Sequence, residues 1–387
     1  MIEKLALKNF TVFQDIEIQF SPRINVIIGA NGTGKTHLLK AAYAVCAGND
    51  SYVDRTTEVP DRLIEDEFNK KLVGVFMPPG ERVGKLARSG SNEETKIEAT
   101  LNGGRKIAAE FSSRSTKAKI IENLEYDLYS WTPLFLPSKE VLSFFRAIVS
   151  EDSDRNTIRS LFDATYLDLC DKLEVTSDGI DPELMDHPRQ GTLMKALANA
   201  IGGYYCLNEG EINFRAGKFE EQRKKDQHKM GDTVETKFKR VPSFEISNKL
   251  TAEGFRKLGV LQHLLLNGNI DSAKSSPLIW DEPEANLNPR LSRTLVETLI
   301  EFSRHGQQIV IATHDYSVAK WFNILTDSKK YQDRIKFHAL HRNPDSGAVK
   351  IETSEDYRLL KHNAISDSLA ELYDEEVSNA LGMEDEN

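Results

Sequence analysis

The feature that most limits what this chain can fold into is the octet Gly29-Ala30-Asn31-Gly32-Thr33-Gly34-Lys35-Thr36. It fits G-x-x-x-x-G-K-[ST] at every fixed position. It lies between the apolar run Ile24-Asn25-Val26-Ile27-Ile28 and a segment with helical spacing, Lys35 to about Ala47. In the order strand, glycine-rich turn, helix, backbone N–H groups can converge on phosphate oxygens, and the helix start adds partial positive charge. Such a loop needs a buried strand that ends at a sheet edge and a helix that packs back over the sheet. An α/β fold with phosphate at the strand ends is therefore expected. Gly29, Asn31, Gly32, Thr33 and Gly34 are expected to form the cradle. Lys35 would reach the β- and γ-phosphates, and Thr36 would ligate Mg²⁺. ATP and Mg²⁺ are the expected ligands.

Two later segments supply groups that such a loop lacks. Pro277-Leu278-Ile279-Trp280-Asp281-Glu282-Pro283 reads as a buried strand that delivers two carboxylates at its end. Asp281 is suited to hold Mg²⁺ through water, and Glu282 to polarise an attacking water. In Gln308-Ile309-Val310-Ile311-Ala312-Thr313-His314-Asp315 another apolar strand presents His314 at its end. A lone histidine is more often structural. Its place on the strand after the Asp-Glu strand gives it a catalytic reading, in contact with the γ-phosphate or the attacking water.

Composition sets the surroundings. Lys and Arg number 50 against 60 Asp and Glu, a formal charge of −10. That argues against a surface made to coat nucleic acid and leaves room for a local basic patch. The chain has no apolar run of about 18 residues, and its opening, MIEKLALKNF, has no apolar signal-peptide core. A cytoplasmic protein without membrane contact is expected. Cys46, Cys170 and Cys206 are odd in number and widely spaced, which fits a reducing compartment and neither a disulfide framework nor a zinc site.

Periodicity divides the 387 residues into three parts. In residues 1–139, Ile2, Leu5 and Leu7 and then Ile16, Ile18 and Phe20 predict two strands with a turn near Gln14-Asp15. Strands are also expected at Leu72–Phe76, Thr95–Leu101, Ile107–Phe111 and Leu134–Leu136, with a helix capped by Pro137-Ser138 from near Lys139. Residues 140–245 read as a helical lobe followed by a β-hairpin insertion, whose Lys- and Arg-rich tip, Arg215 to Arg240, has no apolar period and reads as a loop. Residues 246–387 return to alternating helices and strands and end in a solvated Glu384-Asp385-Glu386 tail.

Taken together, Gly29–Thr36, Leu278–Glu282 and Thr313-His314 resemble the Walker A, Walker B and switch-histidine motifs of ABC-type ATPases. The opening Leu7-Lys8-Asn9-Phe10 and the segment Asp281-Glu282-Pro283-Glu284-Ala285-Asn286-Leu287-Asn288-Pro289 are similar to the SMC/RecF/OLD branch. The resemblance implies an ABC-type P-loop head, with a mixed β-sheet core and flanking helices, interrupted by the helical lobe and β-hairpin. It also implies that two heads form a homodimer over two nucleotides, each site completed by a signature loop from the other head. Lys249-Leu250-Thr251-Ala252-Glu253-Gly254-Phe255-Arg256 matches that loop, with Thr251 in the place of serine and Gly254 late. A plain helix cap is the alternative. The usual Q-loop glutamine is absent, and Ser138, Lys139 or Glu140 is left for its place. Phe10 or Phe13 could stack on adenine, or could be core. The compact form resembles ATPase subunits of bacterial anti-phage systems such as Septu or PARIS, which implies a separate effector subunit, a nuclease. The alternatives are a RecF-like repair factor that binds nucleic acid through the basic tip, and a nucleotide-gated scaffold with little turnover.

Overall fold

In this computed structural model, residues 1–48, 61–123, 133–175, 190–208, 210–225, 232–270 and 276–381 are described. They form two units. One holds Met1–Leu134, Ser276–Glu282 and Gln308–Asn387, and the other holds Phe135–Ser275 and Pro283–Gln307.

The first unit is built on two sheets. β1 (Ile2–Phe10) and β2 (Phe13–Gln19) form a hairpin, and Ile24–Gly29 is β3. Helices α1 (Lys35–Gly48) and α2 (Asp61–Phe76) follow. β4 (Thr95–Leu101), β5 (Arg105–Phe111) and β6 (Lys119–Asn123) complete an antiparallel sheet of order β2-β1-β4-β5-β6. β4 alternates buried and half-buried residues, as a strand with one covered face should. β7 (Leu134–Leu136) then leads into the second unit.

The other sheet contains β11 (Pro277–Asp281), β12 (Gln308–Ala312), β13 (Ile335–Arg342) and β14 (Val349–Ser354), in the order β14-β13-β3-β12-β11-β7. β12 and β13 flank β3, and both run parallel to it. β11 runs parallel to β12. β3, β11 and β12 are buried along their whole lengths, which is why each reads as an unbroken apolar run.

Two buried polar side chains of this unit satisfy backbone groups where strands enter and leave, and a third is tied to one of them. Gln308 Nε2 donates to the carbonyls of Ile2 (2.8 Å) and Ser21 (2.9 Å), and its Oε1 accepts from Ile2 N–H (2.9 Å). Asn25 Oδ1 accepts from Ser21 N–H at 2.6 Å. The His338 ring lies between Asn25 Oδ1 (3.2 Å) and Thr353 Oγ1 (2.9 Å).

In the second unit, helices Phe145–Val149, Arg155–Leu161, Ala164–Leu173 and Gln190–Ile201 precede β8 (Gly203–Asn208), β9 (Glu211–Lys225) and β10 (Asp232–Ser247). Helices Glu253–Leu266 and Pro289–Arg304 complete it. Gly259 of the first of these helices is shaped to the ring of Tyr205, since a Cβ there would lie 2.1 Å from Cδ2.

Four expectations are corrected. The first hairpin turns at Thr11-Val12, with Phe10 opposite Phe13, rather than at Gln14-Asp15. Leu72–Phe76 is the end of α2, not a strand. Ile64, Phe68, Leu72 and Val75 are all buried, a helical spacing that a window opening at residue 70 does not contain. No helix starts near Lys139, and Phe145 is the first helical residue of the lobe. Arg215–Arg240 is not a loop. β9 and β10 pair from Arg215–Glu245 out to Lys225–Asp232. Past β8 only two strands pair, and a pairing made through the backbone needs no apolar period. Its base is fastened by Phe238, edge-on to Tyr204 (4.9 Å) and Phe219 (5.0 Å). The Glu384–Glu386 tail lies outside the described residues. Among the described residues, no helix is long and apolar enough to cross a membrane.

Burial pushes the His338 imidazole down from 6.5 to about 3, with Lys336 adding to the shift. The folded protein therefore keeps His338 neutral over a range where the unfolded chain is protonated. Between these two values the unfolded state binds more protons, so stability rises with pH, by up to about 1.4 kcal/mol per pH unit from this residue. His338→Gln should lose less stability than wild type as pH falls from about 6.5 toward 4. Urea denaturation across that window measures it, and parallel slopes would contradict the assignment.

Candidate functional site

The glycine-rich loop takes its shape from neighbours on two sides. A Cβ on Gly29 would lie 2.5 Å from the Leu340 carbonyl of β13. A Cβ on Gly34, at φ +94°, would lie 2.6 Å from Val12 and 2.7 Å from Phe13 of the first hairpin turn. Thr33 Oγ1 closes the loop by donating to the Ala30 carbonyl at 2.8 Å. Lys35, buried, donates from Nζ to the carbonyls of Gly29 (2.7 Å) and Ala30 (3.3 Å). Its ammonium therefore lies against the loop it serves. Asn31 and Gly32 form the exposed outer part of the loop.

β11 brings the carboxylates to this loop. Thr36 Oγ1 donates to Asp281 Oδ2 at 2.8 Å. The other oxygen, Oδ1, is buried and has no hydrogen-bond partner among the described residues. Burial holds the Asp281 carboxyl above the usual carboxylate range, with the Thr36 hydrogen bond and the Lys35 charge acting the other way. A desolvated carboxylate oxygen without a donor, beside a hydroxyl, is the donor set of a hard divalent cation that keeps water and phosphate as its remaining ligands. Thr36 and Asp281 therefore fit Mg²⁺. Among the described residues no group of three or more His, Cys, Asp or Glu could hold a metal, so a cation here would draw its other ligands from phosphate and water.

Glu282 follows directly, in the left-handed region at φ +48°. Its N–H donates to the Ala312 carbonyl at 2.9 Å, which carries the β11–β12 pairing one residue further. On the neighbouring strand, Thr313 N–H donates to the Ile27 carbonyl at 2.9 Å. Asp315 caps the helix Tyr316–Leu325 by accepting from Val318 N–H at 2.9 Å. Between these fixed points His314 Nδ1 stands 3.2 Å from Glu282 Oε1, and both side chains are open to solvent, 52% and 31% exposed. Lys35, Thr36, Asp281, Glu282 and His314 are thus gathered at the carboxyl edge of β3, β11 and β12. A glycine-rich loop closed on a lysine, a hydroxyl–carboxylate pair and a carboxylate next to a histidine meet there.

Thr251 and Gly254 belong to the second unit. Thr251 Oγ1 donates to the Asn248 carbonyl (2.6 Å) and accepts from the Tyr205 hydroxyl (2.7 Å). Gly254 is buried. A Cβ there would lie 3.0 Å from Leu287 Cδ1 and 3.1 Å from the Asn286 carbonyl, so this glycine faces its own chain. Next to it, Asn286 Nδ2 donates to Glu253 Oε1 at 2.8 Å. Leu250, before the helix, is 78% exposed. Phe10 and Phe13 are fully buried, so neither offers a ring face to adenine, and both are core. Of the residues weighed for the Q-loop place, Glu140 forms an ion pair with Arg256 at 2.9 Å.

Sequence reasoning missed Arg342 at the end of β13. Its guanidinium donates to the Gly32 carbonyl of the phosphate loop (2.8 Å) and to the Gly347 carbonyl (3.1 Å). No local pattern could reveal a contact across that distance in the chain.

A family model described as "AAA domain" matches residues 4–229, and a second AAA-domain model, named for the AbiEii toxin of Type IV toxin–antitoxin systems, matches residues 207–319. Among curated proteins, the DNA replication and repair protein RecF of Listeria welshimeri is 30% identical over 105 residues, 25% of this chain and 28% of that protein. The RecF of Ligilactobacillus salivarius is 48% identical over 76 residues, 18% of this chain and 20% of that protein. The match thus spans little more than a quarter of these relatives. Among solved structures, an SmcHead bound to the C-winged helix domain of ScpA covers 91% of this chain and 97% of its own, at 13% identity and a TM-score of 0.48.

Replacing Asp281 by Asn should remove a buried charge together with the oxygen that lacks a donor. The ligand-free variant should melt no lower than wild type, since a desolvated carboxylate is costly. The extra rise in melting temperature that Mg²⁺ adds to ATP should shrink. Thermal melts with ATP, with and without Mg²⁺, measure this, and an undiminished Mg²⁺ increment would refute the cation-binding role.

Proposed function

As a member of the AAA-domain family of P-loop ATPases, similar to RecF and SMC proteins, this chain belongs among nucleotide-dependent proteins, and we propose that it hydrolyses ATP as a switch for head-to-tail pairing of two copies. The observation that carries this reading is the meeting, on one sheet edge, of the Thr36–Asp281 hydrogen bond (2.8 Å) and the Glu282–His314 pair (3.2 Å). In the proposed reaction the phosphates lie on the loop and on the first turn of α1. Lys35 leaves its loop carbonyls for the β/γ-phosphate oxygens. Thr36 and Asp281 would hold Mg²⁺, which would supply positive charge against the phosphates. Glu282 orients a water and takes its proton as the water oxygen bonds to the γ-phosphorus. The bond to the β–γ bridging oxygen breaks, leaving ADP and phosphate. His314 holds the Glu282 carboxylate and faces the γ-phosphoryl group as it passes to water.

In the paired state the helix Glu253–Leu266 of one copy presents its opening N–H groups to the γ-phosphate of the other. Thr251 and Gly254 belong to this composite site, and exposed Leu250 supports a surface made for contact. As a finer reading, we assign the output of the switch to a separate effector subunit in antiviral defence, in a cytoplasmic setting. The name of the RecF relatives favours a second reading, in which the chain binds DNA as a repair factor. Duplex and single-strand binding at physiological salt discriminates the two, since phosphate contacts weaken steeply with salt. Steady-state turnover discriminates both from a scaffold that only binds nucleotide.

Lys35→Ala should abolish tight ATP binding by calorimetry. Glu282→Gln keeps the shape of the base but cannot accept the proton, so it should bind ATP, stop turning over and accumulate as an ATP-bound dimer. Wild-type turnover in that variant would remove Glu282 from its role. Because Gly254 is packed against its own chain, the exposed Ala252 is the better position to block pairing. Ala252→Arg should bind ATP normally yet neither pair nor hydrolyse. Mixed with Lys35→Ala it should regain part of the activity, because a mixed dimer holds one site free of both changes. Lost ATP binding by Ala252→Arg alone would overturn the composite site.

A further inference from the structure

Beneath the loop Lys249–Gly254 lies a polar cluster drawn from four separate stretches of the second unit. Glu140, with its side chain only 4% exposed, pairs through Oε1 with Nε of Arg256, itself 12% exposed, at 2.9 Å. The same carboxylate accepts from Ser143 N–H at 3.3 Å and from the Ser143 hydroxyl. Arg256 then reaches the loop from below. Its Nη1 donates to the Thr251 carbonyl at 2.5 Å and to the Asn248 carbonyl at 3.4 Å. Asn248 is tied down by its own Nδ2, which donates to the Leu142 carbonyl at 3.1 Å. Tyr205, seated over Gly259, reaches the Thr251 hydroxyl at 2.7 Å.

A buried ion pair is seldom the most stabilising way to fill such a space, because removing two charges from water offsets much of their attraction. What the pair supplies here is direction. The Thr251 carbonyl is drawn inward to the guanidinium. In a trans peptide the carbonyl and the N–H point opposite ways, so the N–H of Ala252 is turned outward. It joins the unpaired N–H groups that open the helix Glu253–Leu266. The Thr251 hydroxyl has one proton and gives it to the Asn248 carbonyl at 2.6 Å. That proton is directed into the loop, and the outward donors are backbone N–H groups.

We propose that Arg256, anchored by Glu140, is a positioning residue that presets this loop so that its backbone N–H groups, rather than the Thr251 hydroxyl, meet the γ-phosphate held by a second copy of the chain. The proposal rests on the head-to-tail reading above. Arg256 acts only through the loop, so its effect falls on pairing and not on the copy's own nucleotide.

The test uses the full chain carrying Glu282→Gln, with ATP-driven dimerisation followed by sedimentation and ATP affinity of the monomer by calorimetry. Arg256→Lys keeps a positive charge but loses the planar group that reaches Glu140 through Nε and the two carbonyls through Nη1 at once. It should weaken ATP-driven dimerisation by about tenfold or more, the factor that one lost charge-assisted hydrogen bond corresponds to. Monomer ATP affinity should stay unchanged. Glu140→Gln, which leaves Arg256 in place without its anchor, should act in the same direction. Thr251→Val should keep the loop's phosphate contact better than Arg256→Lys does. Should Arg256→Lys lower the melting temperature, Tyr205→Phe provides a milder check: it keeps the ring over Gly259, removes one loop hydrogen bond, and should weaken dimerisation by less. Unchanged dimerisation in both Arg256→Lys and Glu140→Gln overturns the proposal. A larger loss from Thr251→Val than from Arg256→Lys also overturns it, because the hydroxyl would then be the phosphate donor. If the Glu282→Gln parent forms no dimer with ATP, the head-to-tail reading itself falls, whatever the Arg256 variants do.

Discussion

A fully buried parallel strand cannot reverse direction within its sheet. It must leave through a loop and return by way of a helix, and its last backbone groups stay directed at whatever lies beyond the sheet edge. β3 is such a strand, with β12 on one side and β13 on the other. Everything chemical in the first unit follows from that placement. The glycine-rich loop is where β3 escapes, and α1 begins where the loop ends. Glu282 and His314 are together because β11 and β12 end in step, with Asp281 opposite Ala312. The tight fit of Gly29 against β13 and of Gly34 against the first hairpin turn means that the loop is shaped before any phosphate arrives. Such preorganisation lowers the cost of binding.

The same edge carries a local electrostatic cost. Asp281 is desolvated, one of its oxygens is satisfied by Thr36, and the other is left without a donor. A fold selected only for stability would not retain that oxygen. Its position beside a phosphate cradle makes it intelligible as a group that a cation completes. Arg342 is a different kind of support, since it fastens the outer part of the loop to the β13–β14 hairpin through the Gly32 carbonyl. The loop is thus held by packing at Gly29 and Gly34 and by a hydrogen bond at Gly32.

The second unit solves a related problem with other means. The loop before the helix Glu253–Leu266 is held from beneath, through Glu140, Arg256, Asn248 and Tyr205. Glu140 was one of the residues weighed for a missing glutamine near the nucleotide. Its carboxylate is turned to Arg256 and Ser143 within the second unit. The β9–β10 ribbon shows why a polar stretch need not be a loop. Its strands pair through the backbone, and the Phe219 and Phe238 rings and the Lys239–Glu220 ion pair join them through side chains.

The sequence by itself marked the glycine-rich loop, the two carboxylates, the histidine, and the strands that carry them. Parallel strands buried on both faces must be apolar throughout, and a loop that cradles phosphate must have glycine at set intervals, so both are written in contiguous residues. Leu72–Phe76 was misread because a helix buried on one face looks like a strand when only its last turns are taken. The tertiary structure alone decided that Phe10 and Phe13 are core, that Gly254 faces its own chain, and that Arg342 and the Glu140–Arg256 pair hold the two loops. These depend on which residues meet across tens to hundreds of positions of chain. Such meetings are set by packing and desolvation of the whole fold and leave no local period or spacing in the sequence.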